Sequence, residues 1–211
     1  RDGIFTINNQ DHVYFIMEYV PAGDLNKFLN AFINSKMMVP TFWTLFLIKQ
    51  ISLGLSILHS ANPPIIHSDL NPKNILLSFN SKVSVVVKLT DFGFVKQLDN
   101  INNKYSIAGT KPFMAPECFK EEYYISTDVY SLGVIFYVFL TNHYPYDLKG
   151  YDFSEILDGK PWKKELKPPS YYNSNVLPVI DEIVLKCLAY DYTQRYFDAE
   201  ELYRDIRNAL K

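Results

Sequence analysis

Between Ile65 and Gly93 the chain reads IIHSDLNPKNILLSFNSKVSVVVKLTDFG, and no other stretch constrains the fold as much. Ile75-Leu76-Leu77 and Val85-Val86-Val87 are apolar and β-branched enough to form the two strands of a buried hairpin. Polar loops flank that hairpin: His67 to Asn74 leads in, and Asp91-Phe92-Gly93 leads out. Asp69 is a carboxylate able to accept a proton, while Asn74 and Asp91 offer oxygen ligands suited to a hard cation such as Mg²⁺. Strands that hold both loops rigidly would fix these oxygens relative to one another.

The rest of the chain supports a single large core. Of 211 residues, 48% are hydrophobic and 16% aromatic, which is enough apolar surface for one sizeable domain. A formal net charge of −2 argues against nucleic acid or an anionic membrane as an electrostatic partner. Cys118 and Cys187 lie far apart with no CxxC, so neither zinc nor a disulfide framework is indicated. That sparing use of cysteine fits a reducing, intracellular and therefore cytoplasmic setting. Val129 to Leu140, VYSLGVIFYVFL, is roughly a dozen residues against the ~20 a membrane span needs, and reads as a buried helix. Lys49, Gln50 and His59 interrupt the other apolar run, so no membrane span is expected. The chain starts at Arg1 without a Met or a signal-like segment, which reads as a piece of something longer.

Other elements follow from pattern. Ile4–Ile7, a polar turn at Asn8–Asp11, and Val13–Val20 read as strand, turn, strand. Asp24 is placed to cap a helix through Leu29, and Thr41 to cap one through Ser60. Phe94 to Met114 is polar and irregular, a length of loop that is usually functional or disordered. Val176–Asp191 and Asp198–Leu210 read as amphipathic helices.

In this order and spacing, His67-Ser68-Asp69…Asn74 and Asp91-Phe92-Gly93 resemble the catalytic and metal-binding loops of eukaryotic protein kinases. The resemblance implies that Asp69 accepts the substrate hydroxyl's proton and that Asn74 and Asp91 hold Mg²⁺. Downstream, Gly109-Thr110-Lys111-Pro112-Phe113-Met114-Ala115-Pro116-Glu117 resembles the end of an activation segment. Thr110 would be the threonine that contacts the catalytic Asp in Ser/Thr-directed members. Upstream, Met17 resembles the gatekeeper behind the adenine of ATP. The backbone of Glu18 and Val20 would bond the adenine edge, Asp24 would face the ribose, and Leu76 would floor the pocket. A lone histidine is more often structural than catalytic, and His67 resembles the one packed beneath Phe92. Asp128 resembles the Asp that bonds the catalytic-loop amides, and Arg195 the partner of Glu117. The implied fold is α+β, mainly α: a kinase large lobe with the last two small-lobe strands. It divides into the end of a small lobe (1–17), a hinge (18–24) and a large lobe (25–211).

Three departures qualify the resemblance. Ser68 stands where an Arg usually meets an activation-segment phosphate. Asn71 stands where a Lys usually contacts the transferred phosphate, and Lys73, two positions on, is expected to substitute in part. Nothing before Arg1 supplies the Gly-rich loop or the phosphate-anchoring Lys, so the small lobe is expected to be mostly missing and this piece inactive alone. The implied activity is ATP- and Mg²⁺-dependent phosphorylation of protein Ser or Thr hydroxyls, of the tyrosine-kinase-like type. A pseudokinase or interaction scaffold is the alternative, favoured by Ser68, Asn71 and the missing parts. Small-molecule kinases fit less well, because the Gly-Thr…Ala-Pro-Glu ending resembles that of kinases with protein substrates.

Overall fold

The structure is a computed structural model, and it describes residues 2–7, 10–79, 85–97, 107 and 109–210. It is mostly helical with small two-stranded sheets. Strand β1 (Asp2–Ile7) pairs antiparallel with β2 (Gln10–Phe15), Asp2 opposite Phe15 and Ile7 opposite Gln10. The second strand stops at Phe15 rather than at the expected Val20. Phe15 lies opposite Asp2, the first residue of β1, and farther on the chain turns through Gly23 (φ +81), whose N–H reaches back to Val20 O at 3.4 Å. The expected turn residues Asn8 and Asn9 lie outside the described residues.

Helix α1 (Leu25–Asn34) is capped as expected, Asp24 accepting from Lys27 N at 2.8 Å. It runs past the expected Leu29 because Phe28 and Phe32 continue its apolar face, their rings 5.2 Å apart. Helix α2 (Thr41–His59) departs from expectation at its start. Pro40 occupies the cap position and makes no side-chain cap bond. Thr41 thus falls one residue inside the helix, and its hydroxyl is buried without a partner.

Two more pairs follow: β3 (Ile65–Ile66) with β6 (Lys96–Gln97), and β4 (Ile75–Phe79) with β5 (Val85–Leu89), Ile75 opposite Leu89. The latter is the hairpin expected from its two apolar runs. Gln50 of α2 clips its edge, donating to Val85 O at 3.1 Å and accepting from Val87 N at 3.3 Å. Residues 99–103, 105 and 106 of the polar loop lie outside the described residues.

Helix α3 (Ile125–Thr141) is the centre of the domain, and every residue from Ser126 to Thr141 is buried. The shorter α4 (Phe153–Leu157) and α5 (Pro169–Tyr172) follow, then α6 (Pro178–Cys187) and α7 (Ala199–Ala209). The α6 helix is shorter than expected. Pro178 sets its first turn, and Asp191 instead caps a separate 3₁₀ turn by accepting from Thr193 N at 2.9 Å. Gly133 lets α3 and α6 approach closely, since a Cβ there would lie 2.6 Å from Cys187 Cβ.

By length and composition alone, α2 could cross a membrane. Its Leu45, Leu47, Ile48, Ile51 and Leu55 instead belong to the core, where α2 packs against α3, α7 and β5. A buried core helix passes the same composition test, so the feature is weak evidence of a span.

Candidate active site

The loop from His67 to Asn74 is fastened from below by a buried carboxylate. Asp128, on the first turn of α3, is fully buried. It accepts from His67 N at 2.7 Å, Ser68 N at 3.0 Å and His59 Nε2 at 3.1 Å. Three donors are what an isolated carboxylate in an apolar helix requires. On the far side of the His59 ring, Nδ1 accepts from Ala199 N at 3.1 Å. The ring proton therefore sits on Nε2 and points at Asp128. Ser68 adopts φ +66, a left-handed backbone that is uncommon outside glycine. Such outliers persist where surrounding bonds over-determine them, as Asp128 does here.

His67 has the structural placement expected. Its Nε2 donates to Thr90 O at 3.0 Å, and its ring lies 5.3 Å from that of Phe92. This contact joins the loop to the Asp91-Phe92-Gly93 segment. Gly109 (φ +118) brings the end of the polar loop alongside, since a Cβ there would meet Ser68 O at 3.1 Å and Met114 Cγ at 3.0 Å.

Asp69 is held from several directions. Its Oδ1 accepts from Thr110 N and Thr110 Oγ1, each at 2.9 Å, and from Asn71 Nδ2 at 3.1 Å. Its Oδ2 accepts from Asn74 Nδ2 at 3.0 Å. Asp69 and Thr110 of the expected catalytic residues are thus brought together, with the expected metal ligand Asn74 beside them. Lys73 is different: its side chain is exposed, and only its backbone N–H enters the network, donating to Asn71 Oδ1 at 3.0 Å.

Asn74 and Asp91 fit a hard cation. Both Asn74 Nδ2 contacts go to Asp69, at O and Oδ2, which turns its Oδ1 away as an oxygen ligand. Asn74 O accepts from Thr90 N at 3.0 Å, so the residue before Asp91 is tied to Asn74 itself. Asp91 sits at φ +62, exposed, its carboxylate engaged among the described residues only by a long 3.4 Å bond from Gly93 N. One carboxylate and one amide oxygen suit Mg²⁺, which keeps waters and phosphate oxygens as its other ligands. Among the described residues, no group of three or more His, Cys, Asp and Glu gathers into a metal site.

At Gly23 and Asp24 the chain passes beside β4. Asp24 bridges to Leu76, and Leu77 N donates to Gly23 O at 2.9 Å, so Leu76 lies directly against this segment. Met17 is 73% exposed, the Glu18 carboxylate pairs with Lys88, and one oxygen of Asp24 is taken by its cap bond.

Two residues of this site have roles that the sequence reading did not give. His59 looked like a polar interruption of an apolar helix, and Asn71 like a lost positive charge. The Asn-Pro dipeptide at 71–72 was the available signal for the latter, because it favours turn initiation. Asn71 indeed caps the 3₁₀ turn Pro72–Asn74.

Comparison with known proteins agrees with this geometry. The chain matches the protein kinase domain over residues 4–205. It is 34% identical over 166 residues to the probable serine/threonine-protein kinase roco6 of Dictyostelium discoideum, covering 74% of this chain and 8% of that protein. A probable serine/threonine-protein kinase of Clostridium perfringens is 29% identical over 212 residues, covering 99% of this chain and 29% of its own length. Serine/threonine-protein kinase WNK4 of Rattus norvegicus is 31% identical over 193 residues, covering 90% of this chain and 15% of its own. The chain therefore spans under a third of each of these relatives. The match does not bear out a missing small lobe, and it does not single out the tyrosine-kinase-like subtype. With residues 4–205 of its 211 matched, the chain belongs to the protein kinase family.

Proposed function

We propose that the protein carrying this chain transfers the γ-phosphoryl group of ATP to Ser or Thr hydroxyls of proteins, inside the cell. The observation that carries this reading is the seating of Thr110 on Asp69 by two bonds of 2.9 Å, with Asn74 on the opposite carboxylate oxygen. Asp69 orients the acceptor hydroxyl and takes its proton as the oxygen attacks. Asn74 and Asp91 hold Mg²⁺, which supplies charge neutralisation on the phosphates when bound. Lys73 is close enough in sequence to Asp69 to add positive charge beside the transferred group. Glu18 to Asp24 serves as the hinge, with Met17 as the gatekeeper behind the adenine, the Glu18 and Val20 backbone on its edge, Asp24 toward the ribose and Leu76 beneath. On this reading, residues 1–17 end a small lobe and 25–211 form the large lobe.

The decisive experiment measures phosphate transfer from ATP to Ser- and Thr-containing peptides by the full-length protein and its Asp69→Asn variant. Transfer that disappears in the variant supports the kinase. Nucleotide binding without transfer in the unaltered protein would instead favour the scaffold reading that Ser68 and Asn71 motivate.

A further inference from the structure

Asn71 sits at the junction of three segments and is 4% exposed. Its Nδ2 lies 3.1 Å from each of Thr110 Oγ1, Asp69 Oδ1 and Asp69 O. Its Oδ1 accepts from Lys73 N at 3.0 Å. These partners fix which way the amide faces. Lys73 N needs an acceptor and the Asp69 carboxylate needs a donor, so a flipped amide would fail on both sides. The roles around Thr110 are fixed too. Its hydroxyl has one hydrogen, which goes to Asp69 Oδ1, so the same oxygen must accept from Asn71. Asn71, Thr110 and Asp69 thus close a ring of hydrogen bonds between positions 39 residues apart.

We infer that Asn71 is a positioning residue that seats Thr110 on Asp69, and so couples the end of the polar loop to the proton acceptor through an uncharged amide. A lysine could donate to the same two oxygens but would leave Lys73 N without its acceptor. An aspartate would keep that acceptor but set a second carboxylate against Asp69. Asparagine meets both demands. The inference deepens the kinase reading and rests on it for its catalytic consequence, although the coupling itself is structural.

The test compares the full-length protein with its Asn71→Asp variant, which preserves the oxygen facing Lys73 N. Amide hydrogen exchange at Thr110 should accelerate by about tenfold or more, and by more than at the amides of α3. In peptide phosphorylation, kcat should fall about 30-fold, the scale of one charge-assisted hydrogen bond, with KM for ATP and peptide within about twofold. Combining Asn71→Asp with Thr110→Val should lower kcat no further than the weaker of the two single variants. Unchanged exchange at Thr110, or multiplicative losses in the double variant, overturns the inference. Should Asn71→Asp not fold, Thr110→Val reads the same link from its other end. The Asn71 side-chain amide protons should then exchange faster, and no change there overturns the inference equally. A protein that phosphorylates no peptide fails the kinase reading instead, and the exchange measurement still decides the role of Asn71.

Discussion

Arg195 meets Glu117 through two parallel hydrogen bonds, Nη1 to Oε1 at 2.7 Å and Nη2 to Oε2 at 2.8 Å, across 78 residues of chain. The same guanidinium donates to Ala189 O and Tyr190 O, while Glu117 Oε1 also accepts from Thr127 Oγ1. Arg195→Ala would strand a buried carboxylate, a loss of about 3–5 kcal/mol by urea denaturation. Arg195→Lys should recover only part of this, because an ammonium cannot form the paired bonds and reach both carbonyls. A lysine variant as stable as the unaltered protein would show that only charge matters here.

Asp128→Ala removes the acceptor shared by His67 N, Ser68 N and His59 Nε2. The stability loss should exceed about 3 kcal/mol, since several buried donors are orphaned together. Hydrogen exchange at His67 and Ser68 should rise before the rest of α3 is affected. Equal acceleration throughout α3 would mean that the carboxylate serves the helix rather than the loop.

Gly133→Ala tests the approach of α3 and α6. The added Cβ would fall 2.6 Å from Cys187 Cβ, and overpacking of this kind costs about 1–3 kcal/mol. Cys187→Ala should not rescue the variant, because the clash is with the Cβ that alanine retains. Thermal denaturation of the single and double variants checks both statements.

Burial raises the phenols of Tyr130, Tyr137 and Tyr196 above their ordinary value of 10.0, and the thiols of Cys118 and Cys187 above 9.0. A raised folded value means that the unfolded chain loses its protons first. Stability from these groups is therefore complete below the unfolded values and declines as pH rises past them. Lys96 works in the opposite sense. Burial lowers its value from 10.5, so the cost of charging it is present at neutral pH and fades toward that value. With Tyr124 and Tyr146, which burial also raises, seven groups oppose one. The urea midpoint should accordingly fall between about pH 8 and about pH 10.5, with a shallower fall in Cys187→Ala. A midpoint that rises across this interval would overturn the account.

Lys73 is exposed, so Lys73→Ala should leave the thermal midpoint within about 0.5 kcal/mol of stability. If its charge assists transfer, kcat should drop by about tenfold or more. An unchanged kcat would leave the transferred phosphate without help from this part of the loop.

The elements legible in the sequence are those written in local pattern. The β4–β5 hairpin follows from two β-branched runs, and α3 from a dozen-residue apolar stretch without a charge after Asp128. The pairings of Asp128 with the loop amides and of Arg195 with Glu117 were anticipated through resemblance, and both are present. Two of the misplaced boundaries turn on proline: Pro40 displaces Thr41 from the cap, and Pro178 starts α6 late. The roles of Asn71 and His59 were not legible because their partners Thr110 and Ala199 lie 39 and 140 residues away. No local periodicity encodes a bond of that span.

The His59 link also has a temporal meaning. Ala199 N bonds the ring that bonds Asp128, which in turn bonds His67 N and Ser68 N. During synthesis the loop at 67–74 leaves the ribosome long before Ala199 is made. Domains fold as units while the chain emerges at about 5–20 residues per second, so this loop waits many seconds for its final fastening. A ribosome that stalls before Ala199 releases a chain with His59 Nδ1 unpaired and the loop incompletely anchored. The arrangement thus makes one fastening of the loop around Asp69 depend on α7, among the last of the described residues to be made.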